Sequence, residues 1–349
     1  MRKYLVLANP GHNRVYFGES EKVSLAELEI MLKSRLGEGA FFVRSEKLAG
    51  VPYISFETES CLEGGFFGRL YNLSFAYAVF EEAGGLLGPV EKPENRFFDS
   101  SVGTILKYAG KTNELFTRTM INAALYSCGF ADEGRIRLLD PLCGKGTTLF
   151  EGLRFGFDVY GVEVSKILAH EAAVFFKKYL EDNRYKHQHK TSRLSGPNKS
   201  FMSTVDEFFA ARDKAAFKNE SLCQEMAVVT GDSRNAACFF RKEFFHIIAA
   251  DLPYGIAHGA KSAKAKPEVS ALSRNPAELL RACLPEWRKV LKPGGAIALA
   301  FNKFVLKKDE LLAILEESGF VPLTGGPYDS FAHRVDQAIN RDLVVARRK

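Results

Sequence analysis

The stretch that decides the fold is LLDPLCGKGTT, which runs from Leu138 to Thr148. A short apolar run ends in an acidic residue, and a loop with two glycines then leads into a segment with helical spacing. Outward from this stretch, short apolar runs alternate with helical segments, which is typical of a parallel, doubly wound α/β sheet. The strands of this sheet are predicted over residues 136–139, 159–162, 227–230, 247–250, 296–301 and 342–346.

The glycines of the loop narrow the choice of ligand. A dinucleotide-binding loop reads G-x-G-x-x-G, but Gly144 and Gly146 are followed by Leu149 where the third glycine is required. A Walker phosphate loop is excluded as well, because Leu139 occupies the place of its first glycine. What remains is a glycine loop directly after the acid Asp140, which suits a cationic or zwitterionic ligand such as the amino-acid end of S-adenosylmethionine.

Four predicted strands end in an acidic residue or are followed by one within two positions: Asp140, Glu163, Asp232 and Asp251. Ligands of open α/β sheets bind in the crevice beyond the carboxyl ends of the strands, so we expect these side chains to meet there. Glu163 is placed to accept hydrogen bonds from both hydroxyls of a ribose, and Asp232 from the amino group of an adenine. A single acid at such a position is an ordinary turn or surface residue, whereas the ordered set favours a nucleoside ligand.

The sequence ADLPYG, residues 250–255, indicates the chemistry. An amino group on a base is a poor nucleophile because its lone pair is delocalised into the ring. Hydrogen bonds from that amine to the Asp251 carboxylate and the Leu252 carbonyl, restricted by Pro253, would aim the nitrogen at a methyl donor. The ring of Tyr254 would stack on the base, an interaction worth about 1–3 kcal/mol. The alternative interpretation is an ordinary proline turn after a strand.

These two motifs resemble those of a known family. Residues 140–147 (DPLCGKGT) together with residues 251–255 (DLPYG) resemble the class I S-adenosylmethionine-dependent methyltransferases that methylate amino groups. Within that group the chain is most similar to the THUMP-associated tRNA guanosine N2-methyltransferases of archaea and eukaryotes, over about residues 96–349 and including a closing hairpin near residues 333–346. The resemblance implies a Rossmann-like, doubly wound, seven-stranded methyltransferase sheet.

By this resemblance S-adenosylmethionine is the cofactor, and the residues implied to bind it are Asp140, Pro141, Cys143, Gly144, Gly146, Thr147, Glu163, Asp232 and Ser233. The residues implied to hold the target amine are Asp251, Leu252, Pro253 and Tyr254. Two departures concern the substrate. Leu252 stands where many relatives carry proline, and this leucine form is familiar in the guanosine branch. The N-terminal part of the chain is too short for a ferredoxin-like region plus a complete THUMP module.

Residues 1–95 are predicted to form a smaller α/β domain, and residues 96–349 the catalytic domain. A ferredoxin-like fold and a role in RNA docking are the candidates for the smaller domain. Its expected elements are strands over 3–7 and 14–17 around a turn at Pro10 and Gly11, a helix from Ser24, strands over 41–44 and 53–57, a helix over 67–83 and a linker over 84–93.

The composition is that of an ordinary globular protein. The 349 residues are 46% hydrophobic and 26% charged, and no apolar run approaches the ~18 residues needed to cross a bilayer. The apolar stretch near Met1 is too short for a signal peptide, so we expect a cytoplasmic protein without a membrane segment. The six cysteines are scattered without a C-x-x-C pair, which predicts neither a disulfide framework nor a metal site.

The net charge of +6 permits a polyanionic partner. Lysines and arginines cluster over residues 183–203 and 261–274, and either stretch would neutralise phosphates if it emerged near the crevice. The first stretch is polar enough to be disordered in the free protein, with His187 and His189 in a solvated loop. We therefore expect structured RNA, with tRNA as the first choice, as the partner.

The main hypothesis is an S-adenosylmethionine-dependent methyltransferase that modifies an exocyclic base amine, with guanosine N2 in tRNA as the first choice. Adenine N6 in RNA or DNA and the amide nitrogen of a protein glutamine fit the same motif. A non-catalytic RNA-binding module with a degenerate cofactor site is a further alternative, and the intact glycines and acids count against it. A dehydrogenase is the weakest candidate because the third glycine is missing.

Overall fold

The fold is given by a computed structural model, which describes residues 1–9, 14–93, 97–106, 111–254 and 275–349, without the side chains of residues 14–20. Two β-sheets organise this part of the chain. The expectations for Pro10, Gly11, Gly255 and the basic stretch over 261–274 concern residues outside the described ranges.

The N-terminal sheet is antiparallel and is built from residues 2–90. Its elements are β1 (Arg2–Ala8), α1 (Arg14–Leu36), β2 (Phe41–Leu48), β3 (Val51–Thr58), α2 (Gly64–Leu70), β4 (Ala76–Ala83) and β5 (Leu86–Val90). The strands lie in the order β2-β3-β1-β4-β5. With β5 set aside, the β-α-β-β-α-β connectivity is that of a ferredoxin-like fold, as the sequence suggested.

Two predictions for the first half of this region are wrong. The segment 14–17 belongs to α1 and not to a strand, and Ser24 lies buried inside that helix. The pattern that resembles a capping box has another use: the buried Glu27 carboxylate accepts hydrogen bonds from the Ser74 N–H at 3.0 Å and the Asn122 amide at 2.6 Å. Contacts distant in sequence therefore override the local capping signal.

The predictions for residues 67–93 are also wrong. The helix expected over 67–83 is replaced by α2 and β4, because the apolar residues of β4 pair with β1. The expected linker over 84–93 contains β5. Gly84 and Gly85 have φ values of 60° and 80°, as the two-residue turn of a β-hairpin requires. The glycine pair is therefore a hairpin turn and not the start of a linker.

The second sheet follows the predicted alternation of strands and helices. Its first elements are α3 (Ser101–Thr104), α4 (Glu114–Ser127), β6 (Arg137–Asp140), α5 (Thr147–Arg154), β7 (Asp158–Glu163), α6 (Lys166–Asp182), β8 (Lys186–Ser195), β9 (Met202–Ala211) and β10 (Gln224–Thr230). The remaining elements are α7 (Ala236–Phe239), β11 (Phe245–Asp251), α8 (Pro276–Val290), β12 (Leu291–Asn302), α9 (Lys308–Glu317), β13 (Phe320–Leu323), β14 (His333–Arg334) and β15 (Asn340–Arg348).

The strands of this sheet lie in the order β13-β15-β12-β11-β6-β7-β10-β9-β8, and β14 pairs with β15. The strands β12, β11, β6, β7 and β10 are parallel, and β15 is antiparallel between β12 and β13. The seven strands from β13 to β10 form the Rossmann-like, doubly wound methyltransferase sheet, and the predicted fold class is confirmed.

The strands β8 and β9 extend this sheet beyond β10, where the sequence led us to expect a disordered or solvated stretch. The expectation of disorder is wrong, because the stretch forms β8 and pairs with β9, whereas most residues of β8 are solvent-exposed, as expected. One side of β9 is buried. Phe208 packs on Phe176 of α6 with ring centroids 5.2 Å apart. On β8 the ring of His189 stacks on Phe208 at 4.2 Å, and its Nε2 lies 2.9 Å from an Asp206 carboxylate oxygen.

Helix α4 joins the two sheets. It packs on α1 on one side and on β11, β12 and β15 on the other, and most of its residues are buried. The predicted domain boundary falls at residues 94–96, outside the described ranges, and stays a prediction. None of the helices in the described ranges is long and apolar enough to cross a membrane.

Candidate active site

The loop between β6 and α5 is held by its own backbone. The Gly146 N–H donates to the Cys143 carbonyl at 2.7 Å, and the Cys143 N–H donates to the Val162 carbonyl of β7 at 3.0 Å. Gly144 and Gly146 have φ values of 51° and 89°, in the left-handed region that favours glycine. A Cβ added to Gly144 would meet no described atom within 4 Å, so a ligand can approach the backbone closely there.

Asp140 ends β6 at the base of this loop and is buried. Its Oδ1 accepts a hydrogen bond from the Leu142 N–H at 3.0 Å. Burial raises the pKa of Asp140 to about 7, and the negative charges of Asp251 and Glu163 act in the same direction, against hydrogen bonds from Leu142 and Thr148. A positively charged group beside this carboxyl would favour its ionised form.

Glu163 ends β7 and is anchored through both of its carboxylate oxygens. Its Oε2 accepts from the Gly144 N–H at 2.9 Å, and its Oε1 accepts from the Ser165 N–H at 2.7 Å. Burial raises the pKa of this carboxyl. Each carboxylate oxygen has more than one acceptor site, so the side chain is fixed in orientation and still able to accept from ligand hydroxyls.

Asp232 follows β10 and pairs with Arg234. Its Oδ2 accepts from Arg234 Nη2 at 2.6 Å and from Nε at 2.9 Å, and its Oδ1 accepts from the Arg234 N–H at 2.9 Å. Burial raises the pKa of Asp232, but the hydrogen bonds and charge of Arg234 outweigh it and leave the pKa below its usual value. The neighbouring Ser233 hydroxyl accepts from the indole N–H of the buried Trp287 at 2.9 Å.

A cavity of about 240 Å³ opens at the carboxyl edge of the sheet. It brings together side chains from the ends of several strands, including three of the four acids that the sequence places at this edge. The lining residues are Pro141, Leu142, Val162, Glu163, Val164, Asp232, Ser233, Arg234, Asp251, Pro253 and Leu279. Seven predicted site residues do not line the cavity: Asp140, Cys143, Gly144, Gly146, Thr147, Leu252 and Tyr254.

Asp251 ends β11, and its two carboxylate oxygens have different partners. Oδ2 accepts a hydrogen bond from the Thr112 hydroxyl at 2.5 Å, and Oδ1 accepts from the Tyr254 hydroxyl at 2.5 Å. The buried Leu252 donates its N–H to the Ala300 carbonyl of β12 at 2.9 Å, which ties the loop to the sheet. Asp251 is therefore held in one orientation at the wall of the cavity.

Tyr254 is fixed by Arg341, which is 5% exposed. Arg341 Nε donates to the Tyr254 hydroxyl at 2.5 Å. Its guanidinium lies 5.3 Å from the centre of the Tyr254 ring and 4.9 Å from that of Phe116 on α4. Burial and the charge of Asp251 raise the pKa of Tyr254 well above its usual value. The hydroxyl therefore stays protonated and donates a hydrogen bond to Asp251.

Sequence reasoning missed Thr112 as a partner of Asp251 and assigned Arg341 only to a closing hairpin. Both lie far from Asp251 along the chain, and neither belongs to a recognisable motif. Thr112 directly precedes Asn113, whose side chain accepts from the Leu115 N–H and caps α4. The only signal available was a threonine before a helix cap, which is too common to point to a site.

The chain has no significant match among curated protein sequences. Solved structures that it resembles include TrmN from Thermus thermophilus, at 13% identity over 100% of both chains with a TM-score of 0.44. A TehB-like SAM-dependent methyltransferase from Corynebacterium glutamicum matches at 15% identity over 61% of this chain and 80% of that one, with a TM-score of 0.34. Geranyl diphosphate C-methyltransferase from Streptomyces coelicolor matches at 11% identity over 73% and 90%, with a TM-score of 0.36.

A family model gives the decisive comparison. The model of UPF0020, described as the RMKL-like methyltransferase domain, matches residues 116–309, which is more than half of the chain. The matched segment contains the glycine loop after β6, the acids that follow β7 and β10, and the Asp251–Tyr254 loop. The cofactor of this domain is S-adenosylmethionine, and the chemistry of the buried acids and the open glycine fits it. The chain therefore belongs to the UPF0020 family, as an RMKL-like methyltransferase.

Proposed function

We propose that the protein transfers a methyl group from S-adenosylmethionine to an exocyclic amine of a base in RNA, with guanosine N2 in tRNA as the first substrate to test. The observation that carries this proposal is the fixed Asp251 carboxylate at the wall of the cavity. A carboxylate whose oxygens are oriented by Thr112 and Tyr254 is a preorganised acceptor for the N–H groups of an amine.

On this proposal the cofactor lies over the ends of β6, β7 and β10. Asp140 faces the ammonium group of its amino-acid end, Glu163 accepts from the ribose hydroxyls, and Asp232 lies on the adenine side, although its pairing with Arg234 means that it shares its acceptor sites. The remaining residues shape this half of the site: Pro141, Cys143, Gly144, Gly146, Thr147 and Ser233. When bound, S-adenosylmethionine supplies an electrophilic methyl group.

The acceptor half positions the amine. Asp251 and the Leu252 carbonyl would accept hydrogen bonds from the two N–H groups of the amine. These bonds would turn the nitrogen lone pair toward the methyl group. The nitrogen gains the methyl group and loses one proton, which the Asp251 carboxylate would accept. The Arg341 guanidinium covers one face of the Tyr254 ring, so a stacked base would take the opposite face.

Support for a nucleic-acid substrate comes from the β8–β9 hairpin. Because β9 runs antiparallel to β10, the tip of the hairpin lies at the carboxyl edge of the sheet, on the side of Asp232. Arg193 and Lys199 are exposed near this tip. Basic side chains at the mouth of the crevice are suited to contact RNA phosphates.

The choice of guanosine N2 depends on the sequence resemblance, and adenine N6 is the main alternative. The Leu252 side chain is 2% exposed and does not line the cavity. A leucine at this position therefore affects base choice through its backbone only. The contacts that distinguish guanine from adenine must come from other residues around the cavity.

The test is transfer of tritiated methyl groups from S-adenosylmethionine into separate tRNA, ribosomal RNA, DNA and protein fractions, followed by digestion to nucleosides. The proposal predicts label in RNA as N2-methylguanosine, and about 1,000-fold slower labelling with the Asp251→Ala variant. Label in N6-methyladenosine would support methyl transfer to an exocyclic amine and identify adenine, not guanine, as the target base. Label in protein alone, or in no fraction despite measurable cofactor binding, would overturn the proposal.

A further inference from the structure

A strip of basic and apolar side chains lies beside the Asp251 loop, on the side away from the cofactor half. We call it the rim surface, and its members are Lys303, Phe304, Val305, Lys307 and Arg334. Its position follows from the register of the sheet. Asp251 pairs with Ala300 on β12, and two residues further on Asn302 pairs with Arg341 on β15. The chain therefore leaves β12 between the two segments that hold Tyr254.

The loop after β12 is held rigidly by Asn302, which is buried. Its side-chain amide donates to the Ala338 carbonyl at 3.0 Å, and its Oδ1 accepts from the N–H groups of Phe304 at 3.2 Å and Asn340 at 3.1 Å. The Lys303 N–H donates to the Asn340 carbonyl at 2.8 Å. This network fixes the backbone that presents Phe304 to solvent.

The apolar part of the rim surface is unusually open for residues at the end of a central strand. Phe304 is 59% exposed and Val305 is 40% exposed, whereas the next residue, Leu306, is 2% exposed and anchors the loop. A single exposed apolar residue needs no explanation. An aromatic ring held on a rigid loop beside an active site is suited to bind a planar ligand.

The charged part of the rim surface narrows the choice of partner. The Lys303 side chain is 38% exposed, and its Nζ lies 3.8 Å from the buried Asp342 carboxylate. Lys307 and Arg334 both follow Lys303 in the chain, and both are exposed. The acids that follow, Asp309 and Glu310, lie in the first turn of α9, where they interact favourably with the helix N-terminus.

We propose that the rim surface binds the RNA strand next to the target nucleotide, with Phe304 stacked on the neighbouring base and the three cations at the phosphates. This inference rests on the proposed function and adds the contact that holds the substrate. A base that leaves its stack to reach Asp251 leaves its neighbour without a stacking partner, and an aromatic side chain can replace that partner.

The first test compares Phe304→Ala, Phe304→Leu and Phe304→Trp in methylation of total tRNA. The alanine and leucine variants should raise the KM for RNA about tenfold, since both lack a ring. The tryptophan variant should stay close to the native protein, and the affinity for S-adenosylmethionine should not change in any variant. Leu222→Ala is the matched control, because Leu222 is 53% exposed just before β10, at the opposite edge of the sheet.

The second test addresses the cations through salt dependence. Replacing Lys303 and Lys307 together by glutamine should reduce the slope of log affinity for labelled tRNA against log salt by about one to two. Lys242→Gln is the control, since Lys242 is 77% exposed near the start of β11.

Three results separate the possible failures. If the native protein methylates tRNA and Phe304→Ala has the native KM for RNA, the proposed role of the rim surface is wrong and the proposed function stands. If Phe304→Leu weakens S-adenosylmethionine binding as much as it weakens RNA binding, the loss is a general structural effect, and the proposed role of the rim surface is wrong. A native protein that neither binds nor methylates RNA overturns the proposed function and this inference with it.

Discussion

The two halves of the carboxyl edge are built in different ways. The half that we propose to bind the cofactor, around Asp140 and Glu163, is held by backbone N–H groups from the same or adjacent loops. The half that we propose to position the acceptor amine, around Asp251, is held by side chains from distant parts of the chain, Thr112 before α4 and Arg341 on β15. The orientation of the acids in the first half therefore depends on the local sequence, because backbone groups hold them. The orientation of Asp251 and Tyr254 depends on how α4 and β15 pack.

This difference suggests that the halves can be damaged separately. A change in the glycine loop should affect cofactor binding, and a change around Asp251 should affect transfer with the cofactor still bound.

The largest effect is expected for Asp251→Ala. Loss of the acceptor that orients the amine should lower the rate of methyl transfer about 1,000-fold, with little change in cofactor affinity. Asp251→Asn keeps one acceptor oxygen and should recover part of the rate. Single-turnover transfer and calorimetric titration with S-adenosylmethionine measure the two quantities. A loss of cofactor affinity as large as the loss in rate would remove the distinction between the halves.

Changes in the cofactor half should have the opposite pattern. Asp140→Ala removes a charged partner and should weaken cofactor binding about 10- to 100-fold, as expected for a hydrogen bond between charged groups. Gly146→Arg should abolish binding, because φ is 89° and even a Cβ would lie 3.2 Å from the Phe150 ring. Thermal unfolding of each variant checks that the fold persists. Native affinity in Asp140→Ala would exclude this residue from the cofactor half.

A smaller effect is expected for Thr112→Val, which removes the hydroxyl and keeps the shape. The Asp251 carboxylate would lose one of its two orienting hydrogen bonds, so kcat should fall about tenfold while the KM for cofactor stays the same. Thr112→Ser retains the hydroxyl and should restore kcat to within about twofold. Equal kcat in the valine and serine variants would show that the hydroxyl has no part in transfer.

The smallest effect concerns pH. Burial raises the pKa of Asp140 to about 7, so the carboxyl is mostly neutral below that pH and ionised above it. Since a cationic ligand favours the ionised form, cofactor affinity should rise severalfold as pH increases from about 6 to about 8. Asp140→Asn cannot ionise and should show a flat profile. A rise of equal size in Asp140→Asn would assign the titration to another group.

The main sheet and the position of the acids at its carboxyl edge were predictable from the sequence, because both depend on local signals. Asp140, Glu163 and Asp251 each end a strand whose apolar run is visible in the sequence, and parallel strands bring their carboxyl ends to one edge. The partners of Asp251 were not predictable in the same way. Thr112 reaches it only because α4 packs on β11 and β12.

The N-terminal region shows the same limit. Ser24 and Glu27 have the spacing of a capping box, yet Glu27 is buried between α1, α4 and the segment before β4, where Asn122 and Ser74 donate to it. The basic stretch after α6 has the polar composition of a loop, yet it forms β8 and pairs with β9, whose Phe208 packs on Phe176 of α6. In both places, tertiary packing overrides a correct local preference.

The most direct test of the separation is a single-turnover measurement of methyl transfer at saturating S-adenosylmethionine, with Asp140→Ala and Asp251→Ala in parallel. We expect Asp140→Ala to approach the native rate once the cofactor saturates the enzyme, and Asp251→Ala to stay about 1,000-fold slower at any cofactor concentration. An Asp140→Ala variant that remains slow at saturation, or an Asp251→Ala variant that recovers, would contradict the division of the carboxyl edge into a cofactor half and an acceptor half.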